Sequence, residues 1–165
     1  MTGAPEDTSP TAGWFVGREH FLPIRVYYED TDFTGLVYHA NYVRYFERGR
    51  SDFLRAIGVG HSLLLDREDP AAFVVTRVEV DYKLPARIDD ALLVRSTYDA
   101  FRGAKLTVRQ TILRGEARLA DAVVFAACID LAGRPRPPPP SWWRRCGPGW
   151  RPQSESCRNS CSVLQ

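Results

Sequence analysis

The chain has 165 residues, 44% of them apolar and 25% charged, which is enough for one domain whose core needs no metal or disulfide staple. The formal net charge of +2 is unevenly placed: residues after 137 carry +3 and residues 1–137 sum to −1, so the body of the chain lacks the basic footprint of a nucleic-acid binder. No run approaches the roughly 18 apolar residues of a membrane span, and the acidic residues 1–7 have no apolar centre that would make them a secretory signal.

Residues 1–20 are rich in Pro, Thr and Gly and read as a mobile segment, with Trp14, Phe15 and Val16 as its docking points. Ile24, Val26 and Tyr28 then alternate with Arg25 and Tyr27, the period of a half-buried strand. After a polar loop, Tyr42, Tyr45, Phe46, Gly49, Phe53, Ala56 and Ile57 recur at spacings of three and four, which predicts a helix over 42–57 with Asn41 as N-cap and Gly58 as its stop. Gly49 lies on the apolar stripe, where glycine costs about 1 kcal/mol of helix propensity relative to alanine; it is either tolerated there or lets a strand approach closely. Residues 58–69 form a looser connector, and its His61 reads as a loop histidine.

From residue 72 onward the pattern is that of strands, over 72–82, 91–101, 104–114 and 117–130. Turn signals fall at Pro85, Asp89-Asp90, Arg102-Gly103 and Arg114-Gly115, and the two tight glycine turns imply antiparallel hairpins. One long helix followed by long strands is buried only if the sheet wraps it, an α+β arrangement. Such a sheet has free edges, and pairing them between two copies would remove a liability.

The chemistry-bearing stretch is the loop before the helix, where Asp32 and His39 stand seven residues apart around Gly35. Asp30-x-Asp32-x-Thr34-Gly35 imitates half of a calcium loop, but the twelfth position, which should be a bidentate glutamate, is Asn41. No Gly-rich phosphate loop supports a nucleotide reading of the two aspartates. A carboxylate beside a helix N-terminus has a different use. Unpaired amides around residues 39–43 and the positive end of the helix dipole polarise a carbonyl, and the carboxylate attacks it or deprotonates a water that does. A merely solvated Asp-Thr-Asp turn is the competing reading.

The segments Val26-Tyr27-Tyr28-Glu29-Asp30-Thr31-Asp32, Gly35-Leu36-Val37-Tyr38-His39-Ala40-Asn41-Tyr42 and Phe46-Glu47-Arg48-Gly49-Arg50 resemble the signature of the YbgC-type acyl-CoA thioesterases, in the 4-hydroxybenzoyl-CoA thioesterase branch of the hotdog fold. The resemblance continues through Phe73-Val74-Val75, Tyr82, residues 85–90 and Arg102-Gly103, and so spans roughly residues 22–136. It implies a hotdog domain over 21–136, a long central helix wrapped by a curved antiparallel sheet. It also implies hydrolysis of an acyl-CoA, with coenzyme A as part of the substrate and no resident metal or redox cofactor. Asp32 falls on the family's catalytic carboxylate, His39 on the imidazole beside it, and the amide of His39 on the donor to the thioester carbonyl; Asn41 shares the helix N-terminus, and Glu29 and Asp30 become supporting residues. Homodimers or homotetramers with sites at the subunit interface follow from the same resemblance.

Arg102 and Lys105, beside a tight turn, are candidates for the phosphates of coenzyme A or simply a solvated hairpin; Arg77, Arg87 and Arg109 are weaker candidates. Cysteine usage fits a reduced, cytoplasmic chain: Cys128 lies in an apolar strand pattern, and the three later cysteines form no zinc-like pair with histidine. Residues 137–165 depart from the family pattern. Four consecutive prolines lead into an Arg/Ser/Cys-rich stretch holding three of the four tryptophans, which reads as a disordered tail from a shifted reading frame or as a Pro-rich partner-binding tail. Against hydrolysis stand a non-catalytic acyl-CoA or acyl-carrier binding or scaffold protein, for which Asp32 and His39 would be superfluous, and a dehydratase, which would leave the thioester intact.

Overall fold

A computed structural model of the chain describes residues 12–60, 64–65, 70–99 and 101–138. Six strands and one long helix account for most of them: β1 (Trp14–Val16), β2 (Glu19–Arg25), α1 (His39–Ala56), β3 (Ala72–Tyr82), β4 (Ala91–Tyr98), β5 (Lys105–Arg114) and β6 (Ala117–Ile129). All pairings are antiparallel, in the order β1-β2-β4-β5-β6-β3. The β4–β5 and β5–β6 hairpins turn at Gly103 and Gly115, both at φ +59, as the glycine turns predict. The connector from β3 to β4 is a crossover, because β3 pairs with β6 at one sheet edge.

The sheet starts earlier than residue 21. Within the segment expected to be mobile, β1 folds back on β2 through Gly17 at φ +60. Trp14 stacks on Phe21, with ring centroids 6.0 Å apart, and Phe15 packs edge-on against His20 and Phe53. Beneath this flap His20 is fully buried with Nε2 3.0 Å from Asp52 Oδ2, which also accepts the Gly13 N–H at 2.8 Å. Burial outweighs the Asp52 carboxylate and lowers the His20 pKa. The alternation over 24–28 ends as strand at Arg25, because Tyr28–Asp30 turns into a 3-10 helix. Most of the atypical tail and His61 lie outside the described residues.

Helix α1 buries Tyr42, Tyr45, Phe46, Gly49 and Phe53 against Ile24 and Val26 of the β2 side, Val94 of β4, and Val108 and Ile112 of β5. Tyr45 and Phe46 are among the largest side chains with no exposed surface, and burying an aromatic ring of that kind contributes about 1.5–3 kcal/mol. Gly49 lets this happen: a Cβ there would stand 2.8 Å from Val94 Cγ1 and 3.1 Å from both Gln110 Nε2 and Ser96 Oγ. The close approach is therefore real, and polar links run alongside it. Gln110 Nε2 donates to the Phe46 carbonyl at 2.9 Å and to Ser96 Oγ at 2.8 Å, and Arg50 donates to Gln110 Oε1 at 2.8 Å. The helix ends as its glycine predicts, with Gly58 at φ +73 donating to the Arg55 carbonyl.

The expected consequence is that Gly49→Ala destabilises the fold by about 1–2 kcal/mol, overpacking outweighing the roughly 1 kcal/mol of helix propensity gained. Urea denaturation measures it; a more stable variant would mean the helix has room to lift.

Candidate active site

The loop between β2 and α1 is held by one inward carboxylate and one outward carboxylate. Asp30 is buried; its Oδ2 accepts the Tyr27 N–H at 2.9 Å, and its carbonyl accepts the Tyr38 N–H at 3.0 Å and Asn41 Nδ2 at 2.7 Å. Its charge also bears on Tyr45, whose phenol is raised above its ordinary pKa by burial first and by Asp30 second. Among the described residues the Tyr45 hydroxyl has no hydrogen-bond partner of normal geometry.

Two residues on, Asp32 points outward. Its Oδ1 accepts the Thr34 N–H at 2.8 Å and the Thr34 hydroxyl at 2.5 Å, an Asx turn closed by Gly35 N–H on the Asp32 carbonyl at 3.0 Å. Gly35 sits at φ +76, where a side chain is disfavoured. Asp32 Oδ2 has no hydrogen-bond partner among the described residues. The hydroxyl and amide of Thr34 hold the Asp32 carboxyl below its ordinary pKa, so it is ionised at neutral pH.

The connector over residues 83–90 clamps this loop from the other side. Val37 donates to the Ala86 carbonyl at 2.9 Å, Ile88 to the Gly35 carbonyl at 3.3 Å, and Leu36 forms an isolated bridge with Arg87. Arg87, a weak candidate on sequence grounds, thus stands on the Asp32 side of the molecule.

The helix begins three residues earlier than its apolar period predicts. His39 is its first residue, and the N-cap is Tyr38, not Asn41; Tyr38 supplies no side-chain cap. The reason is that the Asn41 side chain turns inward onto Asp30, while its own N–H is taken by the Tyr38 carbonyl at 2.8 Å. The free first-turn amides among the described residues are those of His39 and Ala40. The His39 ring is exposed between Tyr38, at 4.3 Å between centroids, and Tyr82, at 6.5 Å and perpendicular. Asp32 and His39 are thereby brought to one end of the molecule, since the Thr31–Val37 bridge returns the loop to the helix mouth. Phe33, Tyr38 and Tyr28, all strongly exposed, rim this end.

Arg102 and Lys105 lie elsewhere. They face each other across the β4–β5 turn with backbone bonds of 2.9 and 3.0 Å, at the end of β4 away from Ala91, whose partner Arg25 leads into the Asp32 loop. The 8 residues of β4, at about 3.3 Å each, put roughly 25 Å between the two ends. There the two cations join Arg18, Arg77, Arg109 and Phe125 around a groove of about 810 Å³ on the sheet face opposite the helix. Among the described residues no group of three or more His, Cys, Asp and Glu side chains is placed to hold a metal ion.

A long helix packed on a six-stranded antiparallel sheet, with a loop carboxylate at the helix mouth, is the arrangement of the hotdog class of domains. The thioesterase-like superfamily model matches residues 26–145. The chain is 42% identical over 116 residues to the acyl-CoA thioesterase YbgC of Haemophilus influenzae, covering 70% of this chain and 84% of that one. It is 41% identical over 121 residues to the acyl-CoA thioester hydrolase YbgC of Escherichia coli, covering 72% and 89%. A solved probable thioesterase from Bartonella henselae superimposes with a TM-score of 0.70 at 41% identity, over 73% of this chain and 99% of that one. The chain belongs to the YbgC-type family of the thioesterase-like superfamily.

Sequence reasoning passed over Thr34, Tyr38 and the contact Tyr82 makes with the helix mouth. Thr34 was findable, since Asp-x-Thr is an Asx-turn pattern; the reach of Tyr82 from a distant strand was not.

Because Thr34 stabilises the ionised carboxylate, Thr34→Ala, which deletes its hydroxyl bond, moves the Asp32 pKa upward toward the ordinary 3.8. Carboxyl-carbon NMR titration reads this directly; an unmoved Asp32 would mean that the Thr34 hydroxyl bond is not formed.

Proposed function

We propose that the chain hydrolyses the thioester of an acyl-CoA to a free carboxylic acid and coenzyme A. The observation that carries this is an ionised, outward carboxylate, Asp32, with one oxygen uncommitted, at the same end of the molecule as the first helix amides, which are free among the described residues, in a chain of this family. The substrate carbonyl oxygen lies toward the amides of His39 and Ala40, which take up the negative charge that develops on it. Two routes balance. In one, Asp32 attacks the carbonyl carbon, the C–S bond breaks, coenzyme A leaves as thiolate and takes a proton from water, and a second water hydrolyses the acyl-aspartyl anhydride. In the other, Asp32 takes a proton from a water whose oxygen attacks, and the same C–S bond breaks. His39 assists by position or by passing the proton to the leaving sulfur.

This reading uses no resident metal or redox group; coenzyme A enters with the substrate. Among the described residues no helix is long and apolar enough to cross a membrane, and the reading is of a cytoplasmic enzyme.

The working unit of this reading is a homodimer, or a homotetramer of two such dimers. Its support is β3, an edge strand of 11 residues with Val74, Val75, Val78 and Tyr82 exposed along its length. Antiparallel pairing of β3 with its copy runs the two strands in opposite directions. The end of one chain that carries Ala72, Ile129 and, through Ala127, Lys105 then lies beside the Tyr82 end of the other. Arg102 and Lys105 of the partner subunit would thus reach toward Asp32 and meet the phosphates of its coenzyme A, an encounter that roughly 25 Å of β4 forbids within one chain.

Free-thiol release from short, aromatic and long acyl-CoAs tests the chemistry. Wild type releases thiol, and Asp32→Asn, which keeps the shape but removes the carboxylate, falls by about 10³-fold or more with its fold intact. Binding of acyl-CoA without thiol release on any substrate would replace this reading by that of a binding protein. For the assembly, Val78→Lys on the open edge should give a monomer by light scattering and lose thiol release; an active dimer would remove β3 from the interface.

A further inference from the structure

The helix mouth is tied to the loop through Asp30, but its first amides have no side-chain cap. Tyr38 gives no side-chain cap, and Asn41, the nearest capping side chain, is spent on Asp30. Without a side-chain cap, the aim of the terminal peptides is left to other contacts. From the sheet, Tyr82, the last residue of β3, reaches that turn: its hydroxyl donates to the His39 carbonyl at 3.0 Å across 43 residues of sequence. Its ring is held perpendicular to Tyr42, with centroids 5.3 Å apart, and perpendicular to His39. Tyr42 is held in turn: it is buried, and its hydroxyl accepts the Ala86 N–H at 2.8 Å. The aim of the Tyr82 hydroxyl is therefore set by packed neighbours on both sides.

We propose that Tyr82 is a positioning residue for the oxyanion site, its hydroxyl fixing the peptide between His39 and Ala40 so that the Ala40 N–H and the neighbouring His39 N–H face the thioester oxygen. The proposal rests on the thioesterase reading of Asp32 and deepens it. The carbonyl that Tyr82 grips and the Ala40 N–H belong to one amide. A donor on the carbonyl oxygen polarises that amide and makes its N–H a stronger donor, as in other chained hydrogen bonds. Burial raises the Tyr82 pKa, which keeps the proton on the hydroxyl through the neutral range. At 48% exposed, Tyr82 is not core filling, and removing one oxygen from it leaves both aromatic contacts in place.

Tyr82→Phe in the full chain is the test, with Asp32→Asn beside it. A whole oxyanion donor is worth about 10²–10³ in rate, so loss of its anchor is expected to lower kcat by about tenfold with KM within about twofold and the melting temperature unchanged. In ¹H–¹⁵N spectra the Ala40 amide proton is expected to move upfield as its peptide loses polarisation. A variant at wild-type kcat, or one whose kcat, KM and melting temperature fall together, would overturn the proposal while Asp32→Asn still upholds or denies the hydrolase reading. If wild type releases no thiol, the Ala40 signal alone decides: an unmoved peak overturns the anchor, and a moved one keeps it as the device that sets this helix mouth.

Discussion

The height at which α1 rides on the sheet is set by the absence of one side chain. Gly49 brings the helix backbone to within a Cβ's width of Val94, Ser96 and Gln110. A buried polar chain from Arg50 through Gln110 to the Phe46 carbonyl and Ser96 fixes the rotation at that height. Buried amides and hydroxyls are costly unless paired, so this chain forms only in one register and excludes a helix that has slid or turned. The N-terminal end of α1 takes its place from that contact, and the site depends on where that end stands.

Two aspartates two residues apart show how the same functional group is given opposite tasks. Asp30 spends its carboxylate and its carbonyl on Tyr27, Tyr38 and Asn41, tying the loop to the first turn of the helix. Asp32, on the far side of that knot, is exposed, and the bonds its carboxylate accepts from Thr34 favour its charged form. A loop tied down by Asp30 on one side and by the 83–90 connector on the other gives Asp32 a fixed address, which is what the proposed attack or proton transfer would need.

The molecule is also asymmetric end to end. The carboxylate and the helix mouth occupy one end of the sheet, and the groove ringed by arginines and a lysine occupies the other, on the opposite face. A ligand with an acyl end and a phosphate end is matched by neither end alone. Strand β3 carries a row of exposed apolar side chains along its open edge, which is where the proposed homodimer would pair.

Much of this was legible in the chain. Alternation and glycine turns marked β3 at its observed bounds and placed the other long strands to within a few residues, because period-two burial and positive φ at Gly103 and Gly115 are local properties. Gly49 on an apolar stripe was legible as one of two things, and the structure chose close approach. Asp32 and His39 could be read as a pair because one short loop spans them. What could not be read needed a partner from far along the chain. Asn41 looks like an N-cap until Asp30 claims its side chain, and the mobile-looking start becomes a strand because Phe21, His20 and Phe53 receive its aromatics. Tyr82 meets the helix mouth only because β3 crosses to the far side of β6. Local pattern determines which residues turn, alternate and bury; which atoms then meet is decided by packing between distant segments, because a hydrogen bond over 43 residues leaves no period in the sequence.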